Sequence, residues 1–316
     1  MKKAPFTSVV VPVFNEALSL NELYERIVRA LDPISAEFEI IFVDDGSRDD
    51  GPEILSALAR RDARVKLISF CRNFGQHAAV MAGFKHAKGE IIVTLDADLQ
   101  NPPEEIPLLI EKINGGFDAV AGNRVNRKDR MARKILSKLM NLLISKLTEV
   151  KLNDYGCMLR AYRRNVIDYL LAYGEKSVYI PAFTSWLVGI VAEVDVRHDE
   201  RKYGSSKYNL LRFLRQAFDL VTAYTLVPIQ LISIIGAFFA LAGFFLACYL
   251  MSFRLFFGTP SPFTTFVSAL LFFSGLIIFS IGIISEYLAR IYIETRKLPL
   301  YIIKGAYARD HRGESI

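Results

Sequence analysis

The sequence predicts an α/β domain built on a mostly parallel sheet, followed by a two-helix transmembrane hairpin. Three observations predict it. Short β-branched runs alternate with helical patterns through the first half of the chain, two of those runs end in aspartates, and two long stretches near the C-terminus carry no charge.

The strand candidates are residues 8–14, 39–45, 65–70, 90–96 and 117–122. Their near-continuous apolar content, with longer helical segments between them, implies parallel strands covered on both faces. In such sheets ligands bind beyond the carboxyl ends of the strands. Those ends carry Asn15-Glu16, Asp44-Asp45, Arg72-Asn73 and Asp96-Ala97-Asp98, so acidic residues gather at one edge. No Gly-x-Gly-x-x-Gly follows the first run, which argues against dinucleotide hydride transfer. Between 130 and 150, Met131, Ile135, Leu139, Leu142, Leu143 and Leu147 recur at helical spacing beside Arg130, Arg133, Lys134, Lys138 and Lys146. That helix either lies on a membrane or covers the sheet with a solvated basic face, and the pattern fits both equally.

At 316 residues the chain can hold one large α/β domain with appendages, and 52% hydrophobic residues with a mean hydropathy of +0.26 exceed what a wholly soluble domain needs. The excess is local. No charge occurs between Asp219 and Arg254, or between Arg254 and Glu286, and each stretch exceeds the roughly 20 apolar residues that cross a bilayer core. The spans are placed at 227–253 and 263–285, within a hairpin region 227–285. An amphipathic juxtamembrane helix at 208–226, with Arg212 and Arg215, leads into it. The connection at 254–262 is short, whereas Lys and Arg crowd the N-terminal region and the tail at 286–316, so both ends are expected in the cytoplasm. Gly236, Gly243, Gly275 and Gly282 would let helices approach closely, within one hairpin or between copies in a homo-oligomer. Met1-Lys2-Lys3 begins like a signal peptide, but Asn15-Glu16 breaks the apolar run and no small-residue cleavage site follows.

Cys71, Cys157 and Cys248 are odd in number, widely spaced and without a Cys-x-x-Cys pair, which fits a reducing cytosol and argues against a disulfide framework and a zinc ribbon. His77, His86, His198 and His311 show no ligand spacing. A net charge of +6 suits an anionic partner. Beside two spans, membrane lipid and its phosphate are the better match, and no RNA-binding aromatic signature or basic recognition helix supports nucleic acid.

Asp96 and Asp98 at a strand end, with Gln100 two residues on, form an oxygen-rich set suited to Mg²⁺ or Mn²⁺ sharing its shell with substrate phosphates. Alone, an Asp-x-Asp pair is a weak signal; its position raises its value. Asp44-Asp45-Gly46-Ser47 has two readings, a helix N-cap or a nucleotide contact, and both can hold if Asp45 or Ser47 caps while Asp44 faces the cleft. Asp154-Tyr155-Gly156 sets a carboxylate before a glycine, as ordinary loops also do. In Arg201-Lys202-Tyr203-Gly204-Ser205-Ser206-Lys207, small residues between cations allow close approach to a phosphate, and a solvated basic loop is the plain alternative.

Together these motifs resemble the polyprenyl-phosphate glycosyltransferases of glycosyltransferase family 2, the dolichol-phosphate mannose synthase-like group. The resemblance runs through Val11-Pro12-Val13-Phe14-Asn15-Glu16, Val43-Asp44-Asp45-Gly46-Ser47, Arg72-Asn73-Phe74-Gly75, residues 95–104 and residues 201–207, and ends in two C-terminal spans. Asn73 to His77, Met81 to Phe84 and Asp154 to Arg164 are most similar to the bacterial undecaprenyl-phosphate 4-deoxy-4-formamido-L-arabinose transferases.

The resemblance implies a GT-A-type catalytic domain over residues 1–207 at the cytoplasmic face of the bacterial inner membrane. It implies that Pro12, Glu16, Asp44, Asp45 and Ala97 line the nucleotide pocket and that Asp96, Asp98 and Gln100 hold metal and diphosphate. It sets Arg124, Arg133 and Ser137 at the lipid phosphate, Arg201 and Lys207 over the phosphates, and Asp154 beside the sugar carbon. The implied reaction moves one sugar, with inversion, from a UDP-linked donor to undecaprenyl phosphate, for lipid A or cell-surface glycan modification. A glucosyl or other hexosyl transferase of the same family is the nearest alternative. A phosphate monoester is mostly a dianion at neutral pH, since its second pKa is about 6, and needs no strong base to attack. Asp154 is then an orienting group, a stabiliser of positive charge on the sugar, or a base.

Two rivals remain in view. A processive polysaccharide synthase would need more spans and a Gln-x-x-Arg-Trp motif, yet Trp186, the single tryptophan, follows Thr184-Ser185. A catalytically silent nucleotide-sugar binding protein would have no reason to keep Asp96, Asp98, Asp154 and Arg201 together.

Overall fold

The computed structural model describes residues 6–34, 37–125, 145, 152–173, 180, 181, 184, 187, 191–199 and 299–307, with scattered helical positions between 266 and 295. The chain divides into two compact units, one of Met1–Arg212 with Pro299–Ile316, the other Phe213–Leu298.

The first unit is built on one eight-stranded sheet. Its strands are β1 (Thr7–Val13), β2 (Phe38–Asp44), β3 (Val65–Phe70), β4 (Ile91–Thr94), β5 (Ala119–Arg124), β6 (Arg160–Arg163), β7 (Val191–Val196) and β8 (Ile303–Tyr307), in the order β7-β5-β6-β4-β1-β2-β3-β8. β1 pairs in parallel with β2 and β4, β2 with β3, and β5 with β7. Only β6 and β8 run against the rest. The sheet is thus mostly parallel, as its apolar runs predict.

The helices follow from their apolar spacing. In α1 (Leu20–Leu31), Leu20, Leu23, Tyr24, Ile27 and Leu31 fall on one buried stripe, with Glu22 in the first turn and Arg29 in the last, where each suits the helix dipole. α2 (Gly51–Arg61) starts with proline in its first turn, where no amide partner is lost. α3 (Gln76–His86) is buried from Ala78 to Phe84, so it has no polar face to give. α4 (Ile106–Asn114) follows a short 3-10 turn, Pro103–Glu105, and α5 (Arg164–Tyr173) follows β6 directly.

Alternation along β1 and β2 divides the core between two faces. Val9, Val11, Val13, Ile40 and Phe42 pack with residues of α1, α2 and α4, while Val10, Ile41 and Val43 pack with Phe84 of α3 and Ile167 and Leu170 of α5. Each fully buried Leu or Ile contributes roughly 1.5–3 kcal/mol to holding these layers together. The site therefore stands on a rigid, doubly covered floor.

Four strands lie outside or beside the sequence expectation. β4 stops at Thr94 rather than at residue 96, so the Asp96–Asp98 pair occupies a turn and not the strand itself. β6 spans only four residues and β7 interrupts its apolar residues with Glu193 and Asp195, and neither is among the strand candidates. β8, expected only as part of a cytoplasmic tail, returns to the sheet as an antiparallel edge against β3, with Tyr301 stacked on Phe70 at 4.9 Å. Among the described residues no helix is long and apolar enough to cross a membrane. The expected span 227–253 and the helices at 130–150 and 208–226 lie almost wholly outside the described residues, as does most of 263–285.

Candidate active site

The carboxyl ends of β1, β2 and β4 and the N-terminus of α3 enclose a cleft of about 320 Å³. It is lined by Pro12, Val13, Phe14 and Glu16 after β1, Asp45 after β2, Asn73, Gly75 and Gln76 at the start of α3, and Asp96, Ala97 and Asp98 after β4.

Three loops that form these walls are laced to one another. Asn15, with a left-handed φ of 55°, donates its amide to Ser47 Oγ at 3.0 Å and accepts the Arg48 amide on Oδ1 at 2.9 Å. Asp45 accepts the amides of Phe74 at 2.6 Å and Gly75 at 2.9 Å and the Asn73 side-chain amide at 2.8 Å. Burial pushes the Asp45 carboxyl up, with neighbouring Asp44 adding to it, while the two amides pull it back. Asp44 accepts the Ser47 amide at 2.9 Å and closes the β2–α2 turn. Between the two acids, it is Asp45 that lines the cleft. Neither Asp45 nor Ser47 caps α2, which begins after Asp50. Gly46 sits at φ +70°, and a Cβ there would come within 2.5 Å of the Arg72 carbonyl carbon. The turn therefore tolerates glycine alone.

The acidic turn is fixed from below. Ser19 Oγ donates to the Ala97 carbonyl at 2.6 Å, Thr94 Oγ1 donates to the Met158 carbonyl at 2.6 Å, and Leu99 turns the chain at φ 60°. Asp96 accepts from Gln76 Nε2 at 2.7 Å. Desolvation and then the negative charge of Asp98 push the Asp96 carboxyl up to about 7, against the pull of Arg124 and Gln76. A carboxylate this costly to ionise, set beside a second one in the same turn, makes a good seat for a divalent cation. Among the described residues no group of three or more His, Cys, Asp or Glu side chains forms a complete cage. A cation held by Asp96 and Asp98 would need substrate phosphates and water to complete its shell. Gln100 stands apart from the cleft wall: its amide donates to Asp98 Oδ1 at 3.1 Å and its carbonyl accepts the Asp199 amide at 2.9 Å.

Beside the acidic turn, Arg124 at the end of β5 grips Asp154, its Nε donating to Oδ2 at 2.5 Å and its Nη2 to Oδ1 at 2.9 Å. Burial works against the Arg124 charge, but the hydrogen bonds and charge of Asp154 outweigh it and hold the guanidinium protonated. Gly156 makes room, since a Cβ there would lie 3.1 Å from Arg124 Nη2. Burial pushes the neighbouring Cys157 thiol up to about 11, which keeps it neutral and chemically quiet.

The structure thus brings Pro12, Glu16, Asp45, Asp96, Ala97 and Asp98 into one cleft and places Arg124 and Asp154 as a pair close enough for the Arg124 charge to act on Asp96. Arg133, Ser137, Arg201 and Lys207 lie outside the described residues. Sequence reasoning assigned no role to Phe14, Asn73 or Gln76, although the Asn73-Phe74-Gly75-Gln76 run stands at a strand end. Phe14 offers an aromatic face, 41% exposed, at the cleft mouth. Its signal was an aromatic residue directly after a buried strand.

The class follows from sequence comparison: residues 8–171 match the family described as Glycosyl transferase family 2, and the chain belongs to that family. Within it, the chain is 44% identical over 310 residues to the undecaprenyl-phosphate 4-deoxy-4-formamido-L-arabinose transferase of Pseudomonas paraeruginosa, covering 96% of this chain and 91% of that one. The transferase of the same name from Proteus mirabilis is 44% identical over 302 residues, 94% of this chain and 92% of its own. Among solved structures, glucosyl-3-phosphoglycerate synthase from Mycobacterium tuberculosis in complex with phosphoglyceric acid aligns with a TM-score of 0.50 at 18% identity, over 68% of this chain and 78% of that one. The same enzyme with Mn²⁺, uridine diphosphate and phosphoglyceric acid also gives 0.50, at 19% identity over 68% and 76%. At that identity the likeness shows a shared GT-A-like α/β fold.

Proposed function

We propose that this protein transfers one sugar, 4-deoxy-4-formamido-L-arabinose, from its UDP conjugate to undecaprenyl phosphate at the cytoplasmic face of the bacterial inner membrane, with inversion at the anomeric carbon. The observation that carries this reading is end-to-end identity of 44% to transferases of that name. The chemistry of the cleft supports it.

Pro12, Glu16 and Asp45 take the nucleoside, with Phe14 against the base, and Ala97 lies under the ribose and diphosphate. Asp44 supports the same wall by closing its turn. Asp96 and Asp98, with Gln100 shaping the turn behind them, hold Mg²⁺ or Mn²⁺, whose charge would neutralise the departing nucleoside diphosphate. Arg124 draws the acceptor phosphate towards Asp154, and Arg133, Ser137, Arg201 and Lys207 supply further phosphate contacts. The acceptor phosphate is already a dianion, so the protein's task is alignment, and Asp154 orients the phosphate through Arg124 or stabilises positive charge on the sugar.

Residues 1–207 form the catalytic domain, 208–226 a juxtamembrane helix, 227–285 a transmembrane hairpin and 286–316 a cytoplasmic C-terminal segment whose β8 completes the edge of the catalytic domain's sheet. The charge-free stretches support the hairpin, and the positive-inside pattern supports cytoplasmic ends. Such an anchor keeps the isoprenoid in the bilayer while its headgroup meets a water-soluble donor.

The test is product mass. Purified full-length protein, undecaprenyl phosphate and a panel of nucleotide sugars should yield one lipid-linked sugar, with the formamido-arabinose donor preferred. Polymer, a different preferred sugar, or donor binding with no lipid product would each overturn the assignment.

A further inference from the structure

The loop that carries Asp154 is held from two sides by charged residues that the proposed chemistry leaves unused. On one side is Arg160, the first residue of β6, only 2% exposed. Its Nε donates to the Cys157 carbonyl at 2.9 Å, and its Nη2 to the carbonyls of Tyr155 at 3.1 Å and Asp154 at 3.3 Å. On the other side is Glu193 of β7. Its Oε1 accepts the Asn153 amide at 2.7 Å and the Asp154 amide at 3.4 Å, and its Oε2 accepts Asn153 Nδ2 at 2.7 Å.

A buried guanidinium is costly to desolvate, and an apolar side chain of similar volume often serves stability as well or better. What an apolar side chain cannot do is fix three carbonyls of one short loop in a single orientation. The planar guanidinium does that for residues 154, 155 and 157, while Glu193 fixes the amides of 153 and 154. Donors on one side and acceptors on the other leave the Asp154 backbone little freedom to rotate or slide. The side chain then reaches Arg124 in two-point register.

We propose that Arg160 and Glu193 are positioning residues for the transfer reaction, a two-sided clamp that sets where the Asp154 carboxylate stands. The proposal rests on the reading of Asp154 as a working group of the site. Misplacing a reacting group by about 1 Å can cost about a hundredfold in rate, so the clamp acts on turnover rather than on donor binding.

Glu193→Gln is the milder test, because it keeps shape while turning an amide NH2 towards one of the two Asn153 donors, the backbone amide or Nδ2, whichever way the carboxamide flips. In detergent-purified full-length enzyme it should lower kcat about tenfold, with donor KM and the unfolding midpoint close to wild type. Arg160→Lys, which keeps charge and donors, should retain more turnover than Arg160→Met. Adding Glu193→Gln to Asp154→Asn should cost less than about twofold more, since no carboxylate is left to place; a merely structural role would give full additivity. If Asp154→Asn is inactive while Glu193→Gln and Arg160→Lys keep wild-type kcat, the clamp is wrong and the Asp154 reading stands. Full turnover by Asp154→Asn overturns both. Should Arg160→Met fail to fold, Glu193→Gln and Arg160→Lys decide the matter.

Discussion

Arg124 and Asp154 meet as a two-point ion pair, Nε to Oδ2 at 2.5 Å and Nη2 to Oδ1 at 2.9 Å, with side chains 12% and 3% exposed. The pair joins the end of β5 to a loop thirty residues later in the chain, beside the acidic turn after β4. Arg124 keeps donors beyond the two it spends on Asp154, so one guanidinium can hold the carboxylate and meet an incoming phosphate.

Replacing Arg124 by Lys keeps the charge but loses the planar fork. The substitution should lower kcat/KM for polyprenyl phosphate by about 10- to 100-fold and leave donor affinity close to wild type. Initial rates at varied acceptor, beside calorimetric titration with the nucleotide, check it; an unchanged acceptor dependence removes Arg124 from the acceptor side.

Asp96→Asn and Asp98→Asn each remove one of two carboxylates from the acidic turn. Each should abolish the gain in UDP affinity that Mn²⁺ or Mg²⁺ gives wild type and cut transfer by about a hundredfold or more. Titrations of UDP with metal and with EDTA read this directly. Metal-independent transfer at the wild-type rate in either variant would end the metal assignment.

How much of this was legible beforehand differs by residue. β1 to β5 could be read within two residues or so at each end, because a strand buried on both faces has to be apolar throughout, as Val9 to Val11 and Ile40 to Val43 are. The acids at the strand ends could be read because a charged group closing such a run must leave the apolar layers, either for the cleft, as Asp45, Asp96 and Asp98 do, or for a turn, as Asp44 does. The division of labour between Asp44 and Asp45 could not, since adjacent residues differ only in which way the turn sends them. β6 and β7 hid because Arg160–Arg163 and Val191–Val196 carry charges inside short strands, where Arg160 and Glu193 bond to the backbone of the loop beside them. β8 was invisible because its partner, β3, lies more than two hundred residues away, and such pairings leave no local pattern.

Gly46→Ala tests whether the laced loops matter to donor binding. The new Cβ would face the Arg72 and Asn73 backbone at 2.5 to 2.8 Å from a residue at φ +70°. The strain is about 1–3 kcal/mol, and its relief must push the β2–α2 turn away from the loop that Asp45 holds. Donor KM should rise by about tenfold with a lower unfolding midpoint, while acceptor KM changes little. An unchanged donor KM would show that the cleft wall does not depend on this contact.

The last prediction concerns stability and acid. Asp62, at the end of α2, accepts from Arg64 through its backbone amide at 2.9 Å, Nε at 3.1 Å and Nη2 at 2.8 Å, and from Tyr24 Oη at 2.7 Å. Burial pushes its carboxyl up, but the Arg64 and Tyr24 hydrogen bonds outweigh that and lower it from 3.8 to about 2. A carboxyl whose folded pKa lies below its unfolded value contributes stability that is complete above about 4 and lost as pH falls towards about 2. The Arg64 side chain is 38% exposed, so screening by water keeps the contribution to about 0.5–1 kcal/mol. Arg64→Met should therefore lower the denaturation midpoint of the detergent-solubilised protein at pH 7 and at pH 5 by the same modest amount. Between pH 4 and pH 2.5 the gap from wild type should narrow, because protonating Asp62 removes the stronger of the two carboxylate partners of Arg64, the other being Asp32 at 2.8 Å from Nη1. A gap that stays constant through that window would mean that Arg64 stabilises the fold through its stacking over Phe38, 4.6 Å from the ring centroid, and not through the carboxylate.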